Sequence, residues 1–285
     1  MTKIIIYFLQ SLLVYSFFLI GRILGINISR KIFSNLFILI GPLFRSQKIL
    51  DKNLNIFSSN ISLTDKIKIR DNMWKNYGKT FIEYVFLDYF KKNNTHIIIK
   101  GKKNLVQINQ DNKPVIFISG HFANFELMSM EITKQNISLA TIYRPLNNFF
   151  LNPFMEFLRR KYVCANQIKK GVSGVREAIE YLKKKHSIAL MIDQRVSEGE
   201  RALFFNKAAL TTTLPAQLSV KYNLDIIPVY IERIEDDKFL IEFQKAIKPK
   251  KFSNKMELTQ NLNSILEKMI EKNPGQWIWT HNRWK

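Results

Sequence analysis

The sequence predicts an α/β fold: a mixed, mostly parallel sheet flanked by helices, preceded by an N-terminal membrane anchor helix. Three observations predict it. Residues 97–99, 115–119, 188–192 and 226–231 are short apolar runs rich in β-branched residues, as strands covered on both faces are. Longer segments between them repeat their apolar residues at helical spacing. Ahead of them all, residues 4–21, IIIYFLQSLLVYSFFLIG, carry no charge.

That uncharged run, as a helix, spans about 27 Å, close to the ~30 Å of a hydrocarbon core, and a snorkelling Arg22 lets residues 23–26 extend it. A cleaved signal peptide needs a small-residue site, but Gly21-Arg22-Ile23-Leu24 follows, so the anchor reads as uncleaved. Arg22, Arg30, Lys31, Arg45, Lys48 and Lys52 come after it and only Lys3 before it, which puts the main domain on the cytoplasmic side. Residues 32–44 are apolar but too short to span; they suit the interface or a buried ramp. The expected organisation is an anchor over 1–26, an interfacial amphipathic segment over 27–60 and a main domain over 61–285.

In the main domain, residues 65–90 read as a helix with an apolar, aromatic stripe. Strands are expected near 97 and 115, then a helix over 122–134, a strand over 139–143, helices over 149–162 and 172–185, and a strand over 188–192. A helix near 213–222, strands over 226–231 and 239–243 and a helix over 257–272 complete the alternation. Hydrophobic residues make up 46% of the 285 positions, enough for a sizeable core. Cys164 is the single cysteine, so no intramolecular disulfide forms, and it reads as a packing residue.

The formal charge is +21, which favours an anionic partner: lipid headgroups, phosphorylated glycolipids, acidic carrier proteins or nucleic acid. Nucleic acid is disfavoured, because the basic residues are spread along the chain and no nucleic-acid-binding signature is present. No metal is expected, since His96, His121, His186 and His281 are isolated. Ser119 lacks a nucleophile-elbow pattern.

The candidate chemistry centres on residues 115–126, VIFISGHFANFE, an apolar strand ending in Gly120-His121 with Glu126 five positions on. An alcohol attacks poorly near neutral pH, so an imidazole must take its proton and a carboxylate must hold the ring in the useful tautomer. A helix starting just after His121 would bring Glu126 to the same strand end, where ligands of open α/β sheets bind. Asn124 reads either as a helix-start residue or as a contact near the base or acceptor. Asp193-Gln194, ending a second apolar strand, suits substrate binding or scaffolding.

These blocks together resemble the lauroyl/myristoyl acyltransferases of lipid A biosynthesis, within the lysophospholipid acyltransferase superfamily. His121-x4-Glu126 with Asn124 looks like the family's catalytic block, Tyr143-Arg144-Pro145 its second and Asp193-Gln194 its third. Phe204-Phe205, Ala208, Thr211-Thr212-Thr213 and Pro228 look like later blocks, and residues 276–284, QWIWTHNRW, resemble the family ending. The Pro-Glu-Gly stretch of the glycerol-phosphate branch is missing; Asn206 stands where a glycine is usual.

The resemblance implies a glycerolipid acyltransferase-like fold over 61–285 and, without a cofactor, transfer of a fatty acyl chain from acyl carrier protein to a hydroxyl of a lipid A precursor at the bacterial inner membrane. His121 would be the general base, oriented by Glu126. Asn124, Arg144, Asp193 and Gln194 would bind substrate, Arg144 by forked contacts to phosphate; Lys170 and Arg176, cations around Gly171 and Gly174, read from their charge either as further phosphate or carrier contacts or as a solvated face. Other readings are an acyltransferase for another lysolipid or glycolipid, and a non-catalytic protein that holds anionic lipid. Trp277, Trp279 and Trp284 are expected to pack or to sit at the membrane interface.

Overall fold

A computed structural model describes residues 2–111, 113–235 and 238–285. The uncharged run lies in helix α1 (Thr2–Leu24). After Gly25, whose φ of 75° suits glycine, the chain enters α2 (Ile26–Phe44). This helix begins ahead of the apolar stretch over 32–44 and runs to its end, with Pro42 accommodated in its last turn. It packs along α4 (Leu63–Glu83), with Gly41 against the Trp74 ring and Gly78 against the Phe33 carbonyl, where any Cβ would collide. The intervening α3 (Gln47–Phe57) is capped by the Ser46 hydroxyl.

The helix expected over 65–90 is interrupted. A 3₁₀ turn at Tyr84–Phe86 separates α4 from α5 (Leu87–Lys92), and Arg22 donates to the Val85 carbonyl and to Asp88 across this break.

Among the described residues nine strands and six further α-helices follow: β1 (Ile97–Lys100), α6 (Lys102–Asp111), β2 (Ile116–Ser119), α7 (Glu126–Lys134), β3 (Leu139–Tyr143) and α8 (Asn152–Leu158). A π turn, Arg159–Val163, leads from α8 to β4 (Asn166–Lys169), α9 (Val172–Lys183), β5 (Ser187–Met191), β6 (Glu200–Phe204) and β7 (Lys207–Thr211). The chain ends with α10 (Leu214–Tyr222), β8 (Ile226–Glu235), β9 (Lys238–Phe243) and α11 (Lys255–Lys272). The main sheet has seven strands in the order β1-β9-β8-β2-β5-β3-β4. Among the described residues only its β8–β9 pairing is antiparallel, so the mixed, mostly parallel sheet is present as expected. Strand β2 is buried throughout, as its apolar run requires.

Three elements go beyond the sequence expectation. α6 and β4 are short and polar, so neither carries a clear apolar period. The β6–β7 hairpin turns on Phe205 and Asn206, at φ of 49° and 55°. Two successive left-handed residues make a type I′ connection, for which asparagine is among the best residues. Asn206 therefore fits its position without a glycine. Cys164 is buried, as a packing residue should be.

Candidate active site

The strand order decides which residues meet. β2, β5, β3 and β4 are adjacent and parallel, so their carboxyl ends share one edge of the sheet. That edge carries His121 after β2, Asp193 after β5, Arg144 after β3 and Lys170 after β4. Gly120 is required before His121, because a Cβ there would stand 2.9 Å from the Phe122 ring.

His121 Nδ1 lies 2.8 Å from Asp193 Oδ1. Asp193 is 2% exposed and its other oxygen accepts from the His121 backbone N–H at 2.8 Å and from Trp277 Nε1 at 2.9 Å. A carboxylate so held can only accept, so Nδ1 carries the hydrogen and Nε2 is left with a lone pair for an incoming proton. Burial alone would lower the imidazole pKa, but the Asp193 charge and hydrogen bond outweigh it and raise the pKa above 6.5. Against the same burial, His121 pulls Asp193 down to about 2.

The expectation that Glu126 turns the imidazole is corrected by this arrangement. The helix starts at Glu126, not at residue 122, and the chain between bends at Ala123, whose φ is 43°. Phe122 pairs with Trp277, and the Ala123 carbonyl accepts from Thr80 Oγ1 at 2.9 Å. The bend directs Glu126 toward the 3₁₀ turn after α4 and the π turn after α8. Its Oε1 accepts from the Tyr84 hydroxyl at 2.5 Å and from Arg159 Nε at 2.8 Å. Glu126 still acts on the imidazole at longer range, adding to the upward pull on its pKa.

The other expected site residues divide. Asn124 is buried and donates to Glu83 Oε2 at 2.9 Å, away from the imidazole. Glu83 also takes Arg233 Nη1 at 2.6 Å and Arg30 Nε at 2.7 Å. Asn124 thus ties the loop after β2 to α2, α4 and β8. Arg144 and Lys170 are exposed and lie close enough to interact: burial lowers the Lys170 pKa, Glu198 raises it and Arg144 lowers it further. Arg176 is exposed on α9, and neither it nor Gln194 hydrogen-bonds to this group.

Three contributors were not singled out from sequence. Arg159 and Tyr84, on segments that read as plain helix, close the Glu126 cluster, with Arg159 Nη2 3.0 Å from the Tyr84 hydroxyl. His281 is half-buried in the C-terminal segment; burial pushes its pKa to about 4, Asp193 pulls it up and His121 pushes it down. The tryptophans Trp277, Trp279 and Trp284 are all buried, so they pack. The backbone N–H groups of Phe122 and Ala123 are already engaged, by Gly120 O and Gln276 O.

A family model described as bacterial lipid A biosynthesis acyltransferase matches residues 2–285. The chain belongs to that family. Among curated relatives it is 23% identical over 250 residues to the lipid A biosynthesis palmitoleoyltransferase of Escherichia coli (strain K12), covering 85% of this chain and 79% of that protein. It is 22% identical over 281 residues to lipid A biosynthesis acyltransferase 2 of Shigella flexneri, covering 93% and 88%. The lipid A biosynthesis lauroyltransferase of Escherichia coli (strain K12) is 22% identical over 254 residues, covering 85% and 79%. The solved 1-acyl-sn-glycerophosphate acyltransferase of Thermotoga maritima aligns over 89% of this chain and all of that one, with a TM-score of 0.43 and 14% identity. Membership supports an acyltransferase activity for this chain.

Proposed function

We propose that the protein transfers a fatty acyl chain from an acyl carrier protein thioester to a hydroxyl of a lipid A precursor, at the bacterial inner membrane with its catalytic domain on the cytoplasmic side. The observation that carries this reading is the imidazole of His121, backed by Asp193, on the same edge as Arg144 and Lys170. The hydroxyl proton passes to His121 Nε2 as its oxygen attacks the thioester carbonyl. The resulting oxyanion needs a donor, and Arg144 is suited to it because the first N–H groups after His121 are already engaged. The C–S bond then breaks, the thiolate takes the proton from the imidazolium, and an ester and a free carrier thiol remain. Arg144 and Lys170 suit the phosphates of a lipid A precursor, with Arg176 as an outlying cation and Gln194 beside Asp193 as a polar contact. α1, mostly exposed and apolar, would hold the site at the bilayer.

The test is acyl transfer from lauroyl- and myristoyl-carrier protein to a tetra-acylated lipid A precursor in detergent. His121→Ala is expected to abolish transfer while keeping the fold. Full activity in that variant would refute the base assignment. Transfer to a different lysolipid, with none to the lipid A precursor, would replace the acceptor assigned here.

A further inference from the structure

We infer that a second element, the segment from Leu146 to Phe157, enters the hydrocarbon of the bilayer beside α1. This rests on α1 meeting lipid, as proposed above. α1 is docked along one face by this segment. Tyr7 and Phe8 meet Phe149 and Phe150 edge-on, and Tyr15 and Phe18 meet Phe154. Asn148 Nδ2 donates to the Tyr7 carbonyl at 2.8 Å, and the Tyr15 hydroxyl donates to the Phe150 carbonyl at 2.8 Å. Tyr7 lies about 22 Å along the helix from Arg22. Whatever depth this stretch of α1 takes in the bilayer, the segment bound to it is carried there.

The segment is built for such a place. Leu146, Phe149 and Phe157 are exposed, with Phe149 and Phe157 each 52% accessible, continuing the apolar surface of α1. The side-chain oxygens of Asn148 and Asn152 are satisfied inside it, as hydrocarbon demands, Glu156 is paired with Arg160 and Lys169, and Asn147 alone of its asparagines is exposed. Asn148 Oδ1 accepts from the Phe150 N–H at 3.0 Å and Asn152 Oδ1 from the Leu146 N–H at 2.8 Å. The Asn148 carbonyl accepts from Leu151 and Asn152. At the far end Lys161 lies over the rings of Phe157 and Tyr162, a cation over aromatic rings suited to the headgroup level of an anionic leaflet.

The test places an environment-sensitive fluorophore on Phe149→Cys, Phe157→Cys, Leu9→Cys on the exposed face of α1, and Val220→Cys on α10, with the unsubstituted protein and its buried Cys164 as the labelling blank. Each full-length protein is reconstituted in vesicles containing phosphatidylglycerol and nitroxide-labelled lipid. Blue-shifted emission quenched by the nitroxide at positions 149, 157 and 9, but not at 220, is the result expected. Quenching at position 9 with positions 149 and 157 behaving like 220 overturns the inference and leaves the membrane seat of α1 standing. All four probes in water overturn both.

Discussion

Asp193 holds His121 twice, by its ring at 2.8 Å and by its own backbone N–H at 2.8 Å, across 72 residues of sequence. One buried carboxylate thus fixes both the position of the residue and the tautomer of its ring. An asparagine in its place keeps the shape but removes the charge, so Asp193→Asn is expected to lower kcat by about 10²–10⁴-fold. Steady-state transfer by a variant with an unchanged circular dichroism spectrum checks this.

The same pair sets a pH dependence. His121 must be neutral to accept a proton, and its pKa is raised above 6.5, so activity falls with decreasing pH through a value above 6.5. Without the Asp193 charge, burial acts with less opposition. The acid limb of kcat/KM in Asp193→Asn is therefore expected at lower pH than in the natural protein. An unmoved limb would assign the titration to another group.

Glu126, Tyr84 and Arg159 form a cluster in which the carboxylate and guanidinium side chains are 9% and 12% exposed. Truncating Arg159 to alanine leaves a buried carboxylate with the tyrosine alone, a loss of about 3–5 kcal/mol where breaking a pair strands a charge. Urea unfolding of Arg159→Ala measures it. In the double variant Arg159→Ala/Glu126→Gln the stranded charge is gone, and part of the stability is expected to return.

Glu83 is buried against Arg30 and Arg233. Burial alone would raise its pKa, but the two guanidinium groups outweigh it and hold it below 4.5. Its stabilisation is complete above pH 4.5 and is lost as pH falls through the lower folded value. Glu83→Ala removes that contribution and takes the buried carboxylate away from Arg30 and Arg233. It is expected to destabilise by at least about 3–5 kcal/mol and to loosen Asn124, read as a lower unfolding midpoint with reduced activity.

The hairpin offers a local test. Asn206→Gly is expected to be nearly neutral, since both residues accept a left-handed φ of 55°. Asn206→Val is expected to cost about 1–2 kcal/mol, because a β-branched side chain crowds the carbonyl there. Thermal unfolding separates the two.

The sequence by itself determined most of the helices and strands, because apolar periodicity is a local property set by which faces are buried. It also determined His121 at a strand end and the uncharged stretch of α1. It could not determine which carboxylate serves His121. Five positions of chain separate His121 from Glu126, yet the left-handed bend at Ala123, gripped by Thr80, turns Glu126 to Arg159. Asp193 reaches the imidazole instead because β5 pairs directly with β2, a strand order that no local pattern encodes. Asn124 likewise read either as a helix-start residue or as a site contact until the fold placed Glu83 beside it. Hydrogen bonds between distant segments depend on the strand order and loop geometry of the whole chain, so only the tertiary structure could assign these partners.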